Sequence, residues 1–475
     1  MFHKNRHASI ITNGAARNRV RARGSRFIRN GKKSIVPLLP EISLTQLRQS
    51  ITFIINIHNM LQKKIPPRKA YVLTSGGLDS TLAVKMLQEQ GVDVTGVYIS
   101  TGFCINSHQK KSGRFDENKP DVFKVTEELG IDLEVIDISK DYISIITNPK
   151  YGWGKNVNPC IDCRIHMLAK TRELMEKNGF DFIATGEVIG QRPKSQRKDT
   201  AKLIAEKSGL KGFLVRPLSG QFHEETEPEK LGWINRGLLG RIEGRSRKEQ
   251  IKMAQKYNIQ NISAPAGGCC FLTDETYAVR FKDLLSDRKD FLKSNASQPL
   301  TMDTLTILAT GRHVKIRKGL RLALGRNEGE NKLIRHYAAN HIVLEPEASM
   351  PGPTALLEFV HNEASHNCRE EIKSIWGSGE SMQTGKSEMA SIEQFLENSG
   401  SPYASSLTGE DILICAKIMA RYCDDKTSVR LKISVCLKTD DPENSGTVDL
   451  QIEPLKNSTV LNQRLVIKAN EKNFL

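Results

Sequence analysis

Ala70-Tyr71-Val72-Leu73-Thr74-Ser75-Gly76-Gly77-Leu78-Asp79-Ser80 decides how this chain folds. The apolar run over 70–74 reads as a strand. A glycine pair follows, and residues 79–90 then place Leu82, Ala83, Met86 and Leu87 on one helical face. Working outward, the same rhythm continues. Strands are expected over 94–99, 133–138 and 182–185. Helices are expected over 122–129, 160–177 and 247–257, the last opened by a capping box of Ser246 and Glu249. Alternating strands and helices predict an α/β fold, a doubly wound parallel sheet over 66–292. Ligands of such sheets bind at the carboxyl ends of the strands.

Beyond residue 300 the character changes. Short strands are expected over 305–308, 313–316 and 321–324, with turns at Gly311 and Gly319. A helix over 412–422 and strands over 428–438 and 447–452 complete a smaller α+β domain spanning 300–475. Residues 218–240 read as an extended loop, and 363–410, rich in Ser, Glu and Gly, as a flexible insert.

The net charge of +16 is uneven. The first forty residues hold ten Lys and Arg and no acid, which leaves +6 for the remainder. Residues 1–65 therefore read as a basic, disordered leader. The alternatives are a start placed too early, with Met60 as the true one, an RNA-gripping arm, or an organellar transit peptide. No run approaches the ~18 apolar residues that a membrane span needs. The expectation is a cytoplasmic protein without membrane attachment. Nine cysteines without a secretory signal point to metal-binding, catalytic or buried thiols, not a disulfide scaffold.

Ser75-Gly76-Gly77-Leu78-Asp79-Ser80 carries the first chemistry. Two glycines let backbone N–H groups approach an anion, and the helix N-terminus adds its positive dipole end. Ser75 and Ser80 supply hydroxyls, and Asp79 can hold the Mg²⁺ that accompanies a nucleotide. The bland reading is a capped Gly-Gly turn.

The second chemistry is sulfur. Asn158-Pro159-Cys160-Ile161-Asp162-Cys163 leads into a helix, and a helix N-terminus favours thiolate. Gly267-Gly268-Cys269-Cys270 lies far along the chain. Three arrangements fit. Cys160 with Cys269 or Cys270 could form a nucleophile and persulfide carrier. Cys160, Cys163 and a later thiol, Cys269 first, could bind a [4Fe–4S] cluster. Four thiolates could bind Zn²⁺, which the absence of a second paired CxxC disfavours. The plain alternative is small buried side chains.

The SGGLDS loop resembles that of the ATP pyrophosphatases, and the missing GK[ST] ending sets it apart from a Walker loop. The resemblance implies ATP cleaved between its α and β phosphates. It implies nucleotide contacts at 75–80 and adenine contacts after the second strand, at Thr101, with Gly186 nearby. The Asn-Pro-Cys motif resembles the tRNA 2-thiouridine synthases, in which this Cys and a later one transfer sulfur. Ala184-Thr185-Gly186-Glu187 stands where that family has Thr-Gly-His. Gln191-Arg192-Pro193 and residues 263–274 look closer to a branch linked to the tRNA 4-thiouridine synthases and to an RNA-binding domain of the NFACT type.

Arg192 and Lys194 follow the Glu187 loop, and Arg312, His313, Lys315, Arg317, Lys318 and Arg321 cluster in the second domain. Such clusters suit RNA phosphates or are ordinary solvated faces. His166 reads as a packing residue. Together these readings predict an ATP- and Mg²⁺-dependent tRNA sulfurtransferase, supplied by a persulfide carrier or sulfide. The alternative is an enzyme adenylating or amidating a small molecule, and a third reading is an RNA-binding adaptor that keeps an ATP fold.

Overall fold

The computed structural model of the chain describes residues 49–50, 52, 67–104, 122–259, 270–291, 300–339, 341–359, 372, 374–376, 386–398, 406–425, 427–435, 447–456 and 458–464. Two units are present, Met1–Pro66 and Pro67–Leu475, and nearly all described residues belong to the second.

The first half of that unit runs β1 (Lys69–Leu73), α1 (Leu78–Gln88), β2 (Asp93–Ser100), α2 (Val122–Leu129), β3 (Leu133–Asp137) and α3 (Ser139–Thr147). It continues with α4 (Cys160–Asn178), β4 (Phe182–Thr185), α5 (Lys198–Lys207), β5 (Leu214–Val215) and α6 (Lys248–Lys256). Its five strands form a sheet in the order β3-β2-β1-β4-β5, and every pairing is parallel. Strand β1 lies in the middle. Ala70 and Val72 face one core with Val84, Leu87 and Phe182. Tyr71 and Leu73 face the other with Val97, Leu168 and Ile183. A strand covered on both faces must be apolar throughout, which is why 70–73 carries no polar alternation.

Helices α7 (Glu275–Phe291) and α8 (Met302–Leu308) lead into the second half. There β6 (Arg312–Arg317), β7 (Leu320–Leu324), α9 (Glu328–His336), β8 (Ile342–Pro346) and β9 (Ala355–Phe359) are followed by α10 (Lys386–Asn398), α11 (Gly409–Ala420), β10 (Val429–Val435) and β11 (Thr447–Ile452). The six strands pair antiparallel in the order β11-β10-β8-β9-β7-β6. Every residue of α11 from Ile412 to Ala420 is buried against this sheet.

Three expectations need correction. Residues 305–308 lie in helix α8, not in a strand. Thr301 Oγ1 accepts a hydrogen bond from Thr304 N at 3.2 Å and so caps the helix, whose Leu305, Ile307 and Leu308 are buried. The insert over 363–410 contains α10, whose Ile392 and Phe395 are buried in the second core. The capping box at Ser246 does not form, because the helix begins at Lys248 with Arg247 at its N-cap, and Ser246 Oγ accepts from Lys248 N at 3.4 Å.

The basic cluster of the second half is largely internal. Arg317 is 2% exposed and clamps Asp411 on α11 with Nε at 2.9 Å and one terminal nitrogen at 3.1 Å. Lys315 Nζ bonds Asp283 at 2.8 Å and Asp287 at 2.9 Å, both on α7. Arg321, also buried, joins the same two carboxylates. Lys315 and Arg317 are therefore corrected from RNA contacts to ion pairs that seat the second sheet on α7 and α11. Buried charges persist only when paired in this way.

Glu358 on β9 stands opposite Arg321 on β7. It is 2% exposed, and neither carboxylate oxygen has a hydrogen-bond partner among the described residues. Burial pushes its carboxyl from the ordinary 4.5 up to about 7, although Arg321 and Arg280 pull the other way. The folded protein thus binds the proton more tightly than the unfolded chain. Stability falls as pH rises through that window, and the loss is complete above it. Glu358→Gln is expected to raise stability by roughly 3 kcal/mol near pH 8 and to change little near pH 4, read by urea denaturation. An equal effect at both pH values would sink this assignment.

Candidate active site

The strand order turns back between β1 and β4, so their carboxyl ends open a crevice at the topological switch point. The loop 75–80 leaves β1 there, and Gly186 and Glu187 leave β4 beside it. Gly76 has φ 73°, the left-handed region that glycine adopts without strain. Ser80 Oγ donates to Gly77 O at 2.8 Å and accepts from Ser75 N at 3.5 Å, which closes the loop over the start of α1. Ser75 itself is exposed.

Gly186 is fixed by space. A Cβ there would lie 2.5 Å from the carbonyl carbon and oxygen of Asp79 and from Ser80 N. The β4 loop therefore rests on the backbone of the phosphate loop. Asp79 Oδ2 accepts from Gln191 Nε2 at 2.9 Å, and its Oδ1 is buried with no hydrogen-bond partner among the described residues. An orphaned carboxylate oxygen beside an anion-binding loop fits a divalent cation bound with a nucleotide. Thr101, at the end of β2, accepts from Phe103 N at 3.3 Å.

Cys160 opens α4 after Pro159 and is half-buried, against Gly154. Asp162 does not join the thiols. Its carboxylate accepts from Lys150 N at 2.9 Å and Tyr151 N at 3.0 Å, holding the preceding loop to the helix. Lys194 Nζ bonds Trp153 O at 2.8 Å and so stands on the Gly154 side of Cys160.

The later cysteine segment docks between these pieces. Cys270 forms an isolated antiparallel bridge with Cys104, and Phe271 N donates to Phe103 O at 3.1 Å. On the other side Val157 N donates to Leu272 O at 3.2 Å, and Asn156 Nδ2 to Thr273 O at 2.7 Å. The segment 270–273 thus bridges the exit of β2 and the loop before Cys160. Cys269 lies outside the described residues. Cys163 Sγ turns back along α4 to Met167 Sδ at 3.6 Å. Among the described residues no three His, Cys, Asp or Glu side chains converge as metal ligands, and the expected cluster set includes Cys269, which lies outside them.

Glu187 is 5% exposed and pairs with Arg164 Nε at 3.0 Å and Arg216 Nε at 3.0 Å. Burial alone would raise its carboxyl, but Arg164 and Arg216 outweigh it and hold it below its ordinary value. His223 lies near the same group. Burial first, then Arg216, pushes its imidazole down to about 4, so it stays neutral near pH 7.

With this geometry in place, the comparisons locate the domain. Residues 68–209 match the family described as tRNA methyl transferase HUP domain. The HUP domain match covers β1 to α5, including the phosphate loop, Cys160 and Glu187. The tRNA-specific 2-thiouridylase MnmA of Karelsulcia muelleri is 28% identical over 236 residues, 47% of this chain and 56% of that protein. The MnmA of Campylobacter curvus is 32% identical over 166 residues, 32% of this chain and 47% of that protein. The chain thus spans about half the length of these relatives. A 4-thiouridine synthetase solved with RNA and bound ATP aligns at TM-score 0.25 and 19% identity, over 41% of this chain and 52% of that one.

Several site features were not read from the sequence. The Gln191–Asp79 bond, the Arg164 and Arg216 pairs and the place of Cys104 all join residues distant in the chain, with no local pattern to announce them. Arg192 is half-buried on the loop beyond Gln191, and Arg312 lies over the Tyr422 ring at 5.2 Å. His166 is half-buried, its Nε2 has no hydrogen-bond partner among the described residues, and burial first lowers its imidazole. Among the described residues no helix is long and apolar enough to cross a membrane.

Gly186→Ala tests the close approach. The added methyl must displace the Asp79–Ser80 backbone, so nucleotide affinity is expected to fall by at least about tenfold while the fold survives. Equilibrium binding of an ATP analogue reads this, and unchanged affinity would show the contact to be dispensable.

Proposed function

We propose that this chain is an ATP-dependent tRNA sulfurtransferase that replaces a pyrimidine carbonyl oxygen with sulfur. One observation carries the reading. The anion-binding loop with the orphaned Asp79 oxygen and the loop bearing Cys160 are held in the same domain by the β4 exit and the 270–273 segment. Its likeness to proteins named tRNA-specific 2-thiouridylase supports the tRNA substrate.

In this reading Ser75, Gly76, Gly77, Leu78 and Ser80 cradle the phosphates of ATP, and Asp79 holds Mg²⁺. Thr101 and Gly186 border the nucleotide. The pyrimidine carbonyl oxygen attacks the α-phosphorus, pyrophosphate leaves, and the base becomes an adenylate. Adenylation turns a poor leaving oxygen into a good one. Cys160 carries the incoming sulfur as a persulfide received from a donor. Its terminal sulfur attacks the activated carbon, and AMP leaves with the oxygen. A second thiolate, Cys270 or Cys269, then attacks the Cys160 sulfur and releases the thiocarbonyl as an intramolecular disulfide forms. A dithiol reductant restores both thiols. A cluster-bound sulfide on Cys160, Cys163 and Cys269 is the competing source, and no step is assigned to it. Arg192, Lys194 and Arg312 remain as candidate tRNA contacts.

The test is nucleoside mass spectrometry on tRNA incubated anaerobically with the protein, ATP, Mg²⁺, a sulfide or persulfide source and dithiol. A new thionucleoside that requires ATP is expected. Cys160→Ala and Asp79→Ala should each abolish it in folded protein. No thionucleoside, with ATP cleaved to AMP on adding small-molecule extracts, would instead establish a small-molecule adenylating enzyme.

A further inference from the structure

The cysteine helix is held by apolar packing along one face and by polar tethers at its first turns. Of the nineteen residues in α4, Leu168 and Thr171 are buried, and Ile161, Cys163, Ile165, Met167, Leu174 and Met175 pack partly buried against the core. Its first turns, which carry Cys160 and Cys163, are held by polar tethers as well as by that packing. Asp162 ties them to residues 150–151 on one side. The other tether reaches the phosphate loop. Arg164, the residue after Cys163, forms an ion pair with Glu187 Oε1 at 3.0 Å, outside hydrogen-bond geometry. Glu187 Oε2 is held by Arg216 Nε at 3.0 Å and by the Thr185 hydroxyl at 3.2 Å, and Arg216 is itself anchored on Ala201 O at 3.1 Å. One residue back, Gly186 rests on Asp79 and Ser80.

We propose that Glu187 is a positioning residue that fixes the distance between the sulfur-bearing helix and the phosphate loop. The inference rests on the sulfurtransferase reading, and it specifies which side chain registers the two half-reactions against each other. Glu187 suits this task because it is buried, paired from two sides by arginines on separate elements, and joined by one peptide bond to the residue that touches the nucleotide loop. A fully buried and paired carboxylate does not wander among rotamers as an exposed one does. The expected loss falls on sulfur transfer alone, since misplacing a reacting group by about 1 Å can cost roughly 100-fold in rate.

The experiment compares wild type with Glu187→Gln and Arg164→Gln. The second variant keeps the buried Glu187–Arg216 pair and frees only the helix. Three quantities are measured in protein shown to be folded by cooperative thermal unfolding. They are ATP affinity with pyrophosphate release, thionucleoside formation, and the rate of Cys160 alkylation by iodoacetamide, read by peptide mass spectrometry. Both variants should keep ATP affinity and pyrophosphate release, lower kcat for thiolation by about 100-fold, and alkylate Cys160 faster. Wild-type thiolation and alkylation in either folded variant would overturn the proposal. So would parallel loss of ATP affinity and pyrophosphate release, because Glu187 would then be supporting the phosphate loop itself. If wild type makes no thionucleoside, the sulfurtransferase reading fails on its own, and unchanged Cys160 alkylation would still refute the positioning role. Should Glu187→Gln not fold, Arg164→Gln decides.

Discussion

The site hangs on one close approach, that of Gly186 to the Asp79–Ser80 backbone. Two parallel strands must deliver their carboxyl ends side by side for it to occur, and the residue at the second exit must lack a Cβ. Once it is made, the rest of the constellation has little freedom. Gln191 reaches Asp79, Glu187 points away from the nucleotide loop toward Arg164 and Arg216, and the first turn of α4 is drawn toward the same crevice. A sheet buried on both faces supplies the rigid platform this needs.

Charge is used differently in the two halves of the chain. In the parallel-sheet half, one buried carboxylate gathers two guanidinium groups near the site. In the antiparallel half, Lys315, Arg317 and Arg321 are consumed by Asp283, Asp287 and Asp411, which fasten sheet to helix. A basic cluster in sequence is thus no measure of a basic surface. Arg317 on β6 and Arg321 on β7 report internal pairing, and the net positive charge of the whole chain owes most to its first forty residues. Glu358 is left without full pairing, since Arg321 faces it across the ladder without a hydrogen bond to either oxygen.

Much of the α/β half was legible in the residues. The strands at 182–185 and 133–137, the helix at 122–129 and the strand-loop-helix at 69–88 lie where periodicity and glycine placement put them, because local pattern and tertiary burial agree there. Agreement failed where capping competed with apolar spacing. Leu305, Ile307 and Leu308 alternate like a strand, yet Thr301 at the N-cap turns them into a helix. It failed again at Ser246, because the helix begins one residue later, with Arg247 at its N-cap.

By itself the sequence determined the phosphate loop, the alternation that makes a parallel sheet, and the presence of two cysteine-bearing segments, since all three are short-range properties of composition and spacing. Only the tertiary structure decided which groups meet. It brought Cys270 against Cys104 and the 270–273 segment against the loop before Cys160, and it turned Cys163 toward Met167. It also buried Arg317 and set Glu187 between Arg164 and Arg216. Apart from the Cys163–Met167 contact within one helix, these contacts join residues far apart in the chain. Their geometry follows from strand order and packing, which no local window of the sequence contains.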